Sequence, residues 1–512
     1  MPLAKIMSAA VVGLDAQPVE VETDISAGLP AFNIVGLPDK AVEEAKERVR
    51  AAIKNSKAKM ADRRITVNLA PADLPKVGPA YDLPIAVGIL KATQQIEPGP
   101  EDLKNSLFLG ELSLDGTLRH INGTLPLMLM AKKQSIENIF LPKINLKEAE
   151  LIEDLKLHPV ESLKELIGHF KGESQITPQI STGKLESEDF DTYDYDMAFI
   201  KGQEHVKRAL EIAAAGAHNV LMSGPPGAGK TLLARTMPSV MPKMLKDEVL
   251  EVTKIYSVSG LLPKDMPLIS ERPFRSPHHT ASDIALVGGG QIPRPGEVTL
   301  AHKGVLFLDE FAEFGRAVLE SLRQPIEDRI ITISRAAGVL RFPAHFTLVA
   351  AMNPCPCGYL GDPKKQCICT PAQVIKYQKK VSGPLIDRID LHIEVPQVKY
   401  EKLTSEKVSE ESAKIRGRVE KARGRQEKRF ANHKISTNSE MRVQDMKKYC
   451  KVDEKSKDLL KTAVNQLNLS ARAYHRILKL ARTIADLEGI KEIKPEHIAE
   501  AIQYRPKEQQ VY

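Results

Sequence analysis

Gly224-Pro225-Pro226-Gly227-Ala228-Gly229-Lys230-Thr231 is the stretch on which the reading of this 512-residue chain turns. The octet fits G-x-x-x-x-G-K-[ST], and its flanks suit that pattern. Asn219–Met222 reads as a buried strand entering the loop, and Thr231–Thr236 begins a helix. Where glycine removes the side chain, backbone N–H groups can turn inward and cradle phosphates, and a helix N-terminus adds partial positive charge. Lys230 would then reach the β- and γ-phosphates of ATP, and the Thr231 hydroxyl would ligate Mg²⁺.

A phosphate loop needs a second half, one or more strands later. Val305-Leu306-Phe307-Leu308-Asp309-Glu310 supplies four apolar residues of a buried strand followed by two carboxylates. Asp309 would hold Mg²⁺, and Glu310 would orient and polarise the attacking water; capping the next helix is the competing use of such a pair. Phe346–Met352 is another apolar strand, ending at Asn353, whose amide could sit near the γ-phosphate. Arg388 stands just before a last strand, His392–Val395. A guanidinium fork suits a transferring phosphoryl group, although on the residues alone a surface ion pair explains Arg388 as well.

Outward from this centre the chain divides. Residues 1–170 alternate strand and helix signals, which makes an α/β domain. Its clearest helix, about Asp39–Asn55, repeats Ala41, Val42, Ala45, Val49, Ala52 and Ile53 at helical spacing. Residues 171–196 hold seven acidic side chains against two lysines, which suits a solvated acidic linker. Strands and helices alternate again over 197–396, and 397–512 turns helical and basic. Net charge is +7 and the pI about 8.9, which permits a polyanionic partner without requiring one. No run approaches the ~18 apolar residues of a membrane span, so no membrane partner is expected. Five cysteines exclude a disulfide scaffold, and a cytoplasmic location is the expectation. Four of them form two C-x-C pairs, Cys355/Cys357 and Cys367/Cys369, able to give Zn²⁺ four sulfur ligands; unmetallated thiols or a redox-sensitive pair are the alternatives.

Together these residues resemble an AAA+ ATPase, a ring-forming branch of the P-loop fold, over nearly all of 199–505. The resemblance implies a parallel-sheet core and an all-α lid. It makes Asn353 the sensor 1 residue, Arg388 the arginine finger that completes a neighbour's site, and Arg472 sensor 2 from the lid. Arg476 and Lys479, on the same lid helix, read as solvated. Arg272-Pro273-Phe274-Arg275-Ser276-Pro277-His278-His279-Thr280, Gly288-Gly289-Gly290 and Pro293-Arg294-Pro295-Gly296-Glu297 narrow the likeness to the magnesium-chelatase-like subgroup, ComM/YifB type. His278 and His279 lack a third metal ligand at a matching spacing and read as a turn. In the first domain, Leu74-Pro75-Lys76-Val77-Gly78-Pro79-Ala80 and Gly110-Glu111-Leu112 through Gly123 resemble the Lon protease C-terminal fold. Ala80 and Leu125 stand where that family's serine and lysine would be, so this copy is expected to be proteolytically dead.

The resemblance also bears on the substrate. Ile331–Phe346 reads as a β-hairpin before the Asn353 strand, and minichromosome-maintenance helicases carry a pore hairpin there. Arg335 occupies its basic position, where a ring would stack one phosphate contact per subunit around a strand. Lys414–Lys434, with nine basic and two acidic residues, is a second region open to nucleic-acid contact or to plain solvation. The implied activity is a hexameric, ATP-dependent DNA motor, a helicase or branch-migration enzyme that aids recombination and natural transformation alongside recombination proteins. The competing class is a remodeller of a protein or metal-insertion partner.

Overall fold

The computed structural model describes residues 3–505 apart from 98–102, 104, 184–192, 264–265, 291–292, 336–337, 399, 404–408 and 468. Two compact units result, one from Met1–Glu188 with Val249–Ile269, the other from Asp189–Glu248 with Ser270–Tyr512.

In the first unit, β1 (Ala4–Val12), β2 (Asp15–Ser26), β3 (Ala31–Val35) and β4 (Arg64–Ala70) form a sheet in the order β1-β2-β4-β3. Between β3 and β4 runs α1 (Lys40–Asn55), started by the Asp39 carboxylate accepting from Val42 N, 2.9 Å. Its buried face is Val42, Ala45, Val49, Ala52 and Ile53, five of the six positions picked out by spacing. Next comes α2 (Asp82–Ala92), apolar on nearly every side and buried along almost its whole length. A second sheet has the order β8-β7-β6-β5. It is made of β5 (Ser106–Phe108), β6 (Asn138–Pro142), β7 (Lys156–Val160) and β8 (Gln179–Ile180). The strand β8 thus falls inside the stretch expected to be linker, of which 184–192 lies outside the described residues. Ala80 sits in a single 3-10 turn and Leu125 is fully buried, so neither position offers a nucleophile or a base. Residues 249–269 return from the second half of the chain to pack here. Gly123 N donates to Ser257 O (3.1 Å), and the Ser257 hydroxyl donates to buried Glu148.

The second unit is built on five parallel strands. β9 (Val220–Ser223), β10 (Phe274–Arg275), β11 (Val305–Leu308), β14 (Thr347–Met352) and β15 (Leu391–Glu394) run in the order β10-β11-β14-β9-β15. The hairpin β12 (Ile330–Arg335) and β13 (Gly338–Pro343) precedes β14, as the alternation of residues predicts. Full burial on both faces explains why β9, β11 and β14 read as unbroken apolar runs. Register aligns Ser223 with Met352 and Leu308 with Ala350. Gly224, Asp309 and Asn353 therefore leave the sheet at one edge, the carboxyl edge where ligands of such sheets bind. The C-terminal helices share this unit's core, with Ile415, Val419, Ile477 and Ile484 packing in one cluster with Val220, Phe307 and Val349.

Several basic side chains of the C-terminal helices have partners within the protein. In the basic helix α3 (Ser412–Phe430) most of the arginines are paired, while Lys414, Lys421 and Lys428 are exposed. Arg418 pairs with Glu211 and Glu410, Arg423 donates to Ala214 O, Arg425 donates to Asp486 O, and Arg429 pairs with Asp486. On α4 (Ala471–Glu488), Arg476 is not solvated but bonds to Asp390, and Lys479 donates to Ser439 O at 2.7 Å. Burial opposes the Asp390 charge, yet Arg476 and His218 outweigh it and hold this carboxyl far below the ordinary range.

Candidate nucleotide-binding site

The loop after β9 has its shape because a side chain cannot enter it. A Cβ on Gly224 would lie 2.2 Å from the carbonyl oxygen of Val395, the residue just past β15, whose own N–H is bonded to Ser223 O at 2.7 Å. Gly227 and Gly229 take φ of +75° and +84°, the left-handed region that glycine enters freely. Gln203 ties the loop down by donating to Ala228 O (2.8 Å) and to Pro396 O (3.0 Å). The result is a cleft of about 680 Å³ lined by Pro226 through Leu232 on one side and by Asp309, Glu310 and Asn353 on the other.

Inside the cleft Lys230, Thr231 and Glu310 each have a protein partner. The Lys230 ammonium folds back onto Gly224 O (2.6 Å), Pro225 O (3.0 Å) and Asn353 Oδ1 (3.2 Å). Burial lowers its pKa, and Asp309 opposes that shift. Thr231 Oγ1 donates to Asp309 Oδ2 at 2.7 Å, bringing together the two groups expected at Mg²⁺. The donor set is a hydroxyl and a carboxylate, the hard oxygens that this ion prefers. Glu310 is half-exposed and takes φ +50°, in the left-handed region. The sequence-predicted Lys230, Thr231, Asp309, Glu310 and Asn353 thus meet in one cleft.

His279, which the sequence reads as part of a turn, also belongs to the cleft. Its Nδ1 lies 2.8 Å from Glu310 Oε2, and the loop Ser276–His279 forms a third wall of the cleft. This loop starts directly after β10 and leaves the same sheet edge as Asp309, with His279 four residues past the strand. The adjacency of the parallel strands β10 and β11 is what brings His279 to the site, and no sequence signal marks it.

The arginines are elsewhere. Arg388 is nearly buried, with Nη2 2.7 Å from Glu327 and Nη1 donating to Pro384 O at 2.6 Å. Arg472 is exposed and approaches the same Glu327 carboxylate at 3.8 Å. Neither lines the cleft. Arg335 ends β12 opposite Gly338, and its side chain lies outside the described residues. The sulfurs of Cys355, Cys357, Cys367 and Cys369 all lie within 4.8 Å of one another, just beyond Asn353. No helix among the described residues is long and apolar enough to cross a membrane.

Comparison with known proteins agrees with this geometry. Residues 196–403 match the family "Magnesium chelatase, subunit ChlI", residues 21–145 the family "Subunit ChlI of Mg-chelatase", and residues 409–505 the family "Magnesium chelatase, subunit ChlI C-terminal". The competence protein ComM of Haemophilus influenzae is 44% identical over 511 residues, 99% of this chain and 98% of that protein. The uncharacterized protein YifB of Escherichia coli is 41% identical over 507 residues, 99% of this chain and 97% of its own length. Lon protease 2 of Bacillus subtilis is 32% identical over 143 residues, 27% of this chain and 26% of the protease.

Proposed function

The chain belongs to the magnesium-chelatase-like AAA+ family of the ComM/YifB type, and from that premise we propose that it is an ATP-driven, ring-forming motor that remodels DNA. The observation that carries the ATPase half is the Thr231–Asp309 hydrogen bond at 2.7 Å, with Lys230 and Glu310 in the same cleft. Bound Mg²⁺ supplies neutralisation of phosphate charge. The protein's own groups do the rest. Backbone N–H groups of Gly227–Thr231 hold phosphate oxygens, and Lys230 exchanges the Gly224 and Pro225 carbonyls for the β/γ bridge. Glu310 leaves His279 to take a proton from the attacking water, while Asn353 orients that water or the γ-phosphate. Arg388 of one subunit releases Glu327 and reaches the neighbour's nucleotide, and Arg472 acts from the lid. In a hexamer the Arg335 hairpins would ring a DNA strand. The same reading includes a structural Zn²⁺ at the four cysteines and a cytoplasmic place of work with recombination proteins.

Support for DNA as the substrate comes from the word competence in the name of the H. influenzae relative and from the hairpin β12–β13 leading straight into the Asn353 strand. Separating base pairs costs on average ~1.4 kcal/mol per step, so unwinding has to be coupled to turnover. The three matched families are all named for a chelatase subunit, which favours a second reading, a remodeller of a protein or metal-insertion partner. Strand displacement on forked and three-stranded DNA with ATP tests the first reading. Displacement together with DNA-stimulated hydrolysis is expected. Hydrolysis indifferent to single- and double-stranded DNA would favour the remodeller.

A further inference from the structure

The four cysteines sit on a loop that touches the nucleotide cleft from behind. Cys355 Sγ lies 3.4 Å from Cys357 Sγ and 3.6 Å from Cys367 Sγ, and the last two are 3.5 Å apart. A tetrahedron with Zn–S bonds of about 2.3 Å has edges of about 3.8 Å, so the sulfurs are spaced for one ion rather than for a multi-iron cluster. Disulfide bonding would need S–S near 2.0 Å, much closer than any of these pairs. A backbone N–H group also points at a sulfur: Cys357 N donates to Cys369 Sγ at 3.4 Å. Such N–H···S bonds stabilise thiolate ligands and fix their orientation.

The same loop bears on the phosphate loop. Gly358, at φ +83°, lies so close that a Cβ there would stand 2.6 Å from Pro226 Cδ and 3.8 Å from Asn353 Cγ. Asn353 in turn accepts from Lys230 at 3.2 Å, and Gln378 holds the intervening Pro354 carbonyl at 3.4 Å. We infer that a single tetrahedral Zn²⁺ held by Cys355, Cys357, Cys367 and Cys369 braces this loop, and that the brace keeps Asn353 and Pro226 in the positions that ATP turnover requires. The inference rests on the ATPase reading above for its functional consequence. The metal site itself stands on the sulfur geometry alone.

Three readouts on the full-length protein test it. Elemental analysis should find about one zinc per chain, and Co²⁺ substituted in its place should give the absorption of a tetrahedral thiolate site. The double variant Cys367→Ser/Cys369→Ser should lose the zinc. It should also speed amide exchange at Gly227–Thr231 and Gly358–Tyr359, and cut turnover about 10-fold or more with ADP affinity within about threefold. Gly358→Ala is the second variant. It leaves the ligands intact, so zinc should stay while the added Cβ displaces Pro226 and turnover falls. A wild-type chain that binds neither zinc nor cobalt overturns the site. Unchanged amide exchange in a folded, zinc-free double variant overturns the brace. Bound zinc and faster exchange in a protein without any ATP turnover would uphold the brace and sink the ATPase reading instead.

Discussion

Gly224→Ala tests the phosphate-loop geometry most sharply among structural substitutions. The new Cβ would stand 2.2 Å from Val395 O, roughly 1 Å inside an ordinary contact. Val395 cannot retreat cheaply, because its N–H is bonded to Ser223 O and its side chain is in the core. The loop must therefore move, by about the same 1 Å. Overpacking of this kind costs about 1–3 kcal/mol, which in a unit of this size lowers Tm by about 2–5 °C. The functional loss should be larger, because a shift of about 1 Å at a positioned reacting group costs on the order of 100-fold. ADP affinity by calorimetry and ATP turnover by phosphate release would both be measured. Gly172→Ala is the control. Its φ of +71° strains an alanine with nothing within 4 Å, so stability should drop while nucleotide affinity stays unchanged. Wild-type nucleotide affinity in Gly224→Ala would refute the account of the cleft.

Further outcomes follow from other parts of the second unit. Burial pushes His392 down to about 3 and His345 well below its usual value, so both stay neutral when folded and protonate when unfolded. Stability should therefore fall as pH drops below about 6.5, by about 1.4 kcal/mol per histidine between pH 7.5 and 5.5, measured by urea unfolding. Asp390→Ala leaves Arg476 and His218 without their shared carboxylate and should cost about 3 kcal/mol in the same assay, with the lid helix as the first element to loosen in hydrogen exchange. Arg335→Ala should weaken DNA binding across all sequences, lower the salt slope by about 1 and retain basal hydrolysis, read by fluorescence anisotropy at several salt concentrations.

What the sequence reveals is local. The phosphate loop, the Asp309–Glu310 strand end and the Asn353 strand are contiguous runs whose apolar cores and polar ends state their own purpose. The lid helix announces itself equally well, with Ser470 accepting from Ala473 N at 3.2 Å and Gly489 closing it at φ +77°. Relations between distant segments stay hidden. His279 meets Glu310 only because β10 and β11 are sheet neighbours. The return of 249–269 to the first unit depends on Ser257 finding Glu148, over a hundred residues earlier in the chain. The basic run at Lys414–Lys434 hides relations of the same kind. Arg418, Arg423 and Arg429 face Glu211, the Ala214 carbonyl and Asp486, partners that the run itself does not reveal. The long strand β2 alternates buried Val19, Val21, Thr23 and Ile25 with the less buried Glu20, Glu22 and Asp24, a two-residue period legible in the sequence, and only Pro18 argues against a strand there.

The account depends above all on Glu310 acting on water in a cleft that binds nucleotide without it. ATP binding and steady-state hydrolysis by the wild type and by Glu310→Gln, measured side by side, test this directly. The account predicts ATP affinity within about threefold of wild type and turnover lower by about 100-fold or more. A variant that hydrolyses at the wild-type rate, or one that no longer binds ATP, would contradict it.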